Sequence, residues 1–291
     1  MTAVDRRQGR DLPLDAHLHT DLSHDSDVHI DDFARQAVAL GIRELAITDH
    51  VDFDPSAPGF GSTTFAERER SVRAAAERWA EHGIDIRFGA EITWDSAWAD
   101  DIRAHLAASA YDFVIGSVHI YRDSVYSADH VAAWCAGKSV AAVVAPYFEE
   151  VVRGARSGLF DVMGHIDFVK RFLVPHVTPA QLADASELYE PILDALLESG
   201  TGLEINTSGW RTPAEESFPS PAIVARFREK GGQAITVGSD AHRSEHFAWA
   251  LEDGYEAVER AGFEALTFRR GGDPVQIDLA RMPNATAGRS L

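Results

Sequence analysis

At 291 residues, with 45% hydrophobic and 25% charged residues, the chain has the composition of a soluble globular protein able to bury a sizeable core. Its 46 acidic residues outnumber 27 basic ones, a formal net charge of -19, which disfavours nucleic acid or an anionic membrane surface as partner but not a small anion held by bound cations. No stretch approaches the roughly 20 apolar residues of a membrane span, Cys135 can form no intrachain disulfide, and the polar N-terminal MTAVDRRQGRDLP lacks the apolar region of a signal peptide, so a cytoplasmic protein is expected.

In chain order, the first strand-like run is LPLDAHL (12–18), and it leads into DAHLHT (15–20). Side chains alternate along a strand, so His17 and His19 share a face while Leu18 points into the packing behind them. DDFARQAVALG (31–41) reads as a helix closing on Gly41, followed by the strand RELAITD (43–49) and the helix TFAERERSVRAAAERWAEHG (64–83) closing on Gly83. Two strands follow, DIRFGAEI (85–92) and DFVIGSVHI (112–120), then a helix over 141–158, the strand FDVMGHI (160–166) and a single long helix over 179–200, these helices closing on Gly158 and Gly200. TGLEINT (201–207) and QAITVGSD (233–240) complete seven strands, and ALTFRR (265–270) is a candidate eighth. Strand alternating with helix means βα units and a parallel sheet, open or closed into a barrel. There is no internal repeat, low-complexity run or linker long enough to divide the chain. One domain is expected over 1–291, with a core of about 12–280 and a disordered tail, MPNATAGRSL (282–291).

Metal-competent residues recur at the C-terminal ends of these strands: His17 and His19, Asp49 and His50, Glu91, His119, His165 and Asp167, Glu204 and Asn206, Asp240 and His242. In a closed parallel barrel all such ends converge on one mouth, where active sites of these folds are built. A lone histidine is more often structural than a ligand. His82 reads as a helix C-terminal charge, His105, His130 and His176 as ordinary helix or loop residues, and His29 and His246 as surface. Six histidines with Glu91 and Asp240 in equivalent places of successive βα units instead read as a metal site.

In order, DAHLHT, TDH, GAE, GSVH, GHID and GSDAH resemble the motifs of the polymerase-and-histidinol-phosphatase (PHP) family, from about Asp15 to His242. The ordered set is specific, although TDH and GxE alone are not. The resemblance implies a distorted (β/α)7 TIM-like barrel holding two to three divalent metal ions, typically zinc, iron or manganese, which suit imidazole and carboxylate ligands. Carried over by motif, His17, His19, Glu91 and Asp240 would hold a first ion. Glu91, as a bridge, would hold a second with His119 and His165. His50 and His242 would hold a third with Asp25, or with His24 as the alternate, because many relatives have histidine where this chain has Asp25.

Two further stretches resemble the histidinol-phosphatase branch: LEINTSGWRTPAEESFPS (203–220) and GHIDFVKRF (164–172). They place Arg211, Lys170 and Arg171 just past ligand positions. A guanidinium fork suits phosphate; Arg211 is expected at the substrate, whereas Lys170 and Arg171 fit a phosphate contact or a charged loop equally. Beside them, Glu204 is a candidate acceptor for the substrate's ammonium or imidazole, and Asn206 joins the substrate-binding set.

The expected activity is metal-dependent hydrolysis of a phosphomonoester, foremost L-histidinol phosphate in histidine biosynthesis. Metal ions would supply an acidified water, the ions with Arg211 would neutralise phosphoryl oxygens, and Asp240 or His242 would manage protons to the leaving alkoxide. The alternatives are a PHP phosphoesterase for another small ester, such as a nucleotide bisphosphate, and a non-catalytic metal-binding PHP domain. The sequence leaves oligomeric state open.

Overall fold

Seven parallel staves form a nearly closed barrel in the computed structural model, which describes residues 12–270 and 273–279. They are built by β1 (Leu14–Leu18), β2 (Glu44–Ile47), β3 (His50–Val51), β4 (Asp85–Thr93), β5 (Phe113–Ser117), β6 (Val162–Met163), β7 (Gly202–Asn206) and β8 (Ile235–Gly238). Neighbours run in the order β1-β2-β4-β5-β6-β7-β8, and β3 continues the line of β2 along β4, with His50 in register with Glu91. β1 is buried throughout, as a strand covered on both faces must be. The seam between β1 and β8 is closed beside the histidines: His19 N–H donates to the Ala241 carbonyl at 3.0 Å, and Asp240 N–H donates to the His17 carbonyl at 2.9 Å. These two bonds fix His17, His19 and Asp240 relative to one another.

The outer layer comprises α1 (Ile30–Leu40), α2 (Phe65–Ala80), α3 (Ala99–Ala108), α4 (Val131–Cys135), α5 (Val140–Arg156), α6 (Lys170–Leu173), α7 (Pro179–Asp184), α8 (Glu190–Ser199), α9 (Pro221–Glu229) and α10 (Leu251–Arg260). α1 shows why they dock. Ile30, Phe33, Ala34 and Ala37 form the i, i+3, i+4, i+7 stripe and are all buried, and a fully buried Phe33 contributes on the order of 2–3 kcal/mol. Thr64 and Glu67 start α2 with a reciprocal capping box.

Two expectations from the sequence are corrected. The helix over 179–200 is broken into α7, a 3-10 turn at Ser186–Tyr189, and α8. Pro191 has no N–H for the Glu187 carbonyl, so it interrupts a continuous helix yet fits the first turn of α8. The run 265–270 is a strand, β9 (Ala265–Arg270), but no stave of the barrel: it pairs antiparallel with β10 (Asp273–Asp278). Phe268 packs on Phe113, the first residue of β5, with ring centroids 4.7 Å apart, so this hairpin covers the end of the barrel opposite the histidines. The expected tail, 282–291, lies outside the described residues.

Candidate metal centre

Six imidazoles and three carboxylates meet at the C-terminal mouth, arranged around Glu91 on β4. Its Oε2 lies 3.3 Å from His17 Nε2, 3.3 Å from His19 Nε2 and 2.9 Å from His50 Nδ1; its Oε1 lies 2.8 Å from His165 Nε2 and 3.1 Å from His119 Nε2. Asp240 Oδ1 stands 3.8 Å from His17 Nε2, 3.4 Å from His19 Nε2 and 3.3 Å from His242 Nδ1. Asp25 Oδ2 stands 3.4 Å from His50 Nε2 and 3.2 Å from His242 Nε2, while the His24 ring lies 3.8 Å from Asp25 Oδ1 and packs beside the His50 ring with centroids 5.5 Å apart. Two of these residues hold unusual backbone: φ is 24° at His165 and 52° at Asp240. Such conformations persist where surrounding bonds over-determine them, and they gather at functional sites.

A shell of polar groups orients the rings from behind. Glu204, fully buried on β7, accepts from His17 Nδ1 at 2.6 Å through Oε1 and from the His165 backbone N–H at 3.0 Å through Oε2. Gly238 is what lets the carboxylate lie there, since a Cβ at that position would overlap the His17 side chain and stand 3.0 Å from Glu204 Oε1. Ser23 Oγ lies 3.3 Å from His19 Nδ1 and donates to Asp49 at 3.1 Å, and Thr93 Oγ1 lies 2.9 Å from His119 Nδ1. Asn206 donates to Asp240 Oδ2 at 3.1 Å. Backing of this kind selects which ring nitrogen faces inward.

A cavity of about 540 Å³ opens over the cluster, lined among others by Asp25, His50, Asp52, Glu91, His119, Tyr121, His165, Arg171, Arg211, Asp240, His242, Arg243 and His246. Arg211 donates to the carbonyls of Ser239 and Asp240, both at 3.1 Å. Among the described residues neither Arg171 nor Arg211 has a carboxylate within ion-pair distance. Two guanidiniums without such partners on one rim make a natural seat for a phosphate.

The PHP domain model matches residues 15–208 of the chain. The chain belongs to the PHP domain family. This PHP chain is 28% identical over 258 residues to a Deinococcus radiodurans protein named "Probable histidinol-phosphatase", covering 88% of the chain and 96% of that relative. It is 27% identical over 259 residues to the histidinol-phosphatase of Lactococcus lactis, covering 87% and 93%. Among solved structures, it resembles a Lactococcus lactis histidinol phosphate phosphatase complexed with zinc, L-histidinol and phosphate. The TM-score is 0.79 at 24% identity, over 90% of this chain and 98% of that one, a likeness of fold.

The donor set of this PHP domain fits divalent metal. Glu91 Oε2 is buried without a hydrogen-bond partner although three ring nitrogens surround it, and His17 Nε2 faces His19 Nε2 at 3.0 Å. Lone pairs crowded together in this way are satisfied by a cation. Three groupings bring ligand atoms within 4.8 Å of one another: His17, His19 and Asp240; His50, Glu91 and His119; His19, His50 and His242. The electrostatics agree. Burial alone would raise the Glu91 and Asp240 carboxyls, but the imidazoles around them, His119 foremost at Glu91 and His17 at Asp240, hold both well below the usual range. Burial would likewise depress His17, yet Glu204, Glu91 and Asp240 raise it well above ordinary histidine. His19 is driven down by burial and by His242 and His50. The cluster thus favours concentrated positive charge while disfavouring a proton on His19.

Several side chains sit elsewhere than the sequence suggested. Glu204 and Asn206 are fully buried, bonded to His17, His165 and Asp240, and are not among the residues that line the cavity, where the sequence had placed them with the substrate. Lys170 is buried in ion pairs with Asp167 at 2.9 Å and Glu216 at 2.7 Å and does not line the cavity. Arg171 and Arg211 do border the cavity. His29 caps α1, and His246, read from sequence as surface, lines the cavity. Asp52, Tyr121 and Arg243 were also overlooked. They lie on loops after strands, where periodicity carries no signal, although each follows a histidine of the cluster by one or two residues.

Proposed function

We propose that this chain is a cytoplasmic, metal-dependent phosphomonoesterase that hydrolyses L-histidinol phosphate to L-histidinol and phosphate in histidine biosynthesis. The observation that carries the reading is the juxtaposition, in one cavity, of the histidine–carboxylate cluster with Arg171 and Arg211. Relatives matched over nearly their whole length, named histidinol-phosphatases, direct it to this substrate. His17, His19, Glu91 and Asp240 would hold a first ion, Glu91, His119 and His165 a second, and Asp25, His50 and His242 a third. Zinc, iron and manganese are the candidates. Asp25, and not His24, is assigned to the third group because its carboxylate faces both other members. When bound, such ions acidify water and neutralise anionic oxygen.

The protein's own groups do the rest. Arg171 and Arg211 grip the phosphoryl oxygens, and the two carbonyls behind Arg211 hold its fork in place. Asp240 and His242 border the same cavity; Asp240, held ionised, has no proton of its own to give, so either would pass to the leaving alkoxide the proton that the attacking water gives up. The test is release of phosphate from a panel of phosphomonoesters, with protein loaded in turn with Mn, Fe, Zn and Co. Histidinol phosphate is expected to give the highest kcat/KM. A nucleotide bisphosphate ahead of it would overturn the substrate assignment, and no turnover with any metal would overturn the activity.

A further inference from the structure

The cavity sorts charge by barrel position. The loops after β6, β7 and β8 bring Arg171, Arg211 and Arg243, whereas those after β3 and β5 bring Asp52 and Tyr121 on the other side of the ligands. Asp52 is 9% exposed. Its Oδ1 accepts from the Tyr121 hydroxyl at 2.7 Å, which fixes the carboxylate. Among the described residues it has no lysine or arginine partner. The neighbouring carboxylates are already engaged, Asp25 with His50 and His242, and Glu91 with His50 and His119 among others. Gly59 lies over Asp52. A Cβ there would overlap Asp52 Oδ2 and stand 2.9 Å from His24 Nδ1, while the Gly59 backbone is not left-handed, so glycine supplies space and not conformation. A carboxylate held by one hydrogen bond, given its seat by a glycine and lining the same cavity as three arginines is a half-made ion pair.

We infer that Asp52 binds a cationic nitrogen of the substrate, so that the cavity selects phosphomonoesters carrying a protonated amine or imidazole a few bonds from the phosphate. The inference rests on the phosphatase reading and adds to it the residue that discriminates.

The test compares histidinol phosphate with p-nitrophenyl phosphate, which has no cation, in Asp52→Asn and Gly59→Ala. The ratio of kcat/KM for the first ester to that for the second should fall about ten- to a hundredfold in Asp52→Asn, the scale of a lost charge-assisted contact. It should fall in the same direction, by less, in Gly59→Ala, which displaces the carboxylate without changing charge. Calorimetry adds a readout independent of turnover: L-histidinol binding should weaken about tenfold or more in Asp52→Asn while inorganic phosphate binding does not follow it. A deamino analogue of histidinol separates the two cations, since an analogue equally sensitive to Asp52→Asn assigns the imidazole and an insensitive one the ammonium. Equal losses on both esters, or an unchanged ratio with unchanged histidinol binding, would overturn the inference and leave Asp52 a support for His119 through Tyr121 and Thr93. Wild-type protein that hydrolyses neither ester would sink the phosphatase reading instead.

Discussion

Glu204 gives the sharpest test of how the site is built, because one carboxylate holds the side chain of one histidine of the cluster and the backbone of another. Its two oxygens serve different donors, His17 Nδ1 through Oε1, and the His165 N–H and Asn206 Nδ2 through Oε2. Glu204→Gln keeps the volume but leaves one acceptor oxygen where two are needed, so the new NH2 must confront a donor. Glu204→Ala removes both acceptors in a region closed to water. By the scale for removing one partner of a buried ion pair, alanine should cost the metal-free fold about 3–5 kcal/mol. Glutamine should cost about 1–3 kcal/mol, as for one buried donor left unpaired.

The consequence for metal is separable. Once His17 Nδ1–H is no longer claimed, the tautomer that turns Nε2 inward is no longer selected, and His165 loses the bond that holds its φ of 24°. Loss of such backing weakens metal binding about ten- to a hundredfold, roughly 1.4–2.7 kcal/mol. Competition with a chromophoric chelator measures the affinity, and melts of metal-free protein measure the fold. At saturating metal, KM for histidinol phosphate should stay near wild type in Glu204→Gln. Wild-type metal affinity with a raised KM would refute this reasoning and return Glu204 to the substrate.

Gently purified protein should carry about two to three transition-metal ions per chain, checked by elemental analysis; less than one, with none regained on reconstitution, would contradict the metal assignment. Glu91→Gln should lose metal and at least about a hundredfold in turnover, and wild-type activity would mean the cluster is not organised around Glu91. Arg211→Met should cost roughly 2–4 kcal/mol in kcat/KM, with partial rescue by lysine and retained metal; metal loss would make Arg211 a brace for the Asp240 turn. Away from the site, hydrogen bonds and charge from Arg226 and Lys230 pull the half-buried Glu190 carboxyl down to about 2. A depressed folded pKa means stability that is present above the unfolded value of about 4.3 and fades as pH falls toward 2. The small melting difference between wild type and Glu190→Gln, screened by solvent, should therefore shrink below about pH 4.5, and a gap that widens there would contradict the pairing.

The histidines were legible because two periodicities agree at them. Alternation puts His17 and His19 on one face, and the βα rhythm puts their strand end beside those carrying Glu91, His119, His165 and Asp240. The helix break at Ser186–Tyr189 was harder to see, because an apolar stripe continues through Leu182, Tyr189, Ile192, Leu193 and Leu196 while Pro191 interrupts only the hydrogen bonding. β9 has the composition of a barrel strand, and nothing local distinguishes a stave from a hairpin that caps the floor. Asp52, Arg243 and His246 reach the cavity by loop paths, which no period encodes.

The position of Glu204 and Asn206 behind the cluster was hidden for a different reason. Alternation fixes which face a strand residue takes, and both do face inward, but it leaves depth unspecified. Register does not supply it either: Glu204 pairs with Thr236, four residues before Asp240, and Glu91 pairs with Ile115, four residues before His119. The two glutamates differ in what their oxygens meet. Glu91 lines the cavity and faces ring nitrogens of five histidines. Glu204 meets the outer nitrogen of His17, the backbone N–H of His165 and the Asn206 amide, and does not line the cavity. Whether an inward acidic residue in this barrel stands within the cluster or behind it is decided by which atoms of the histidines it meets, and that is set by side-chain packing, which alternation does not encode.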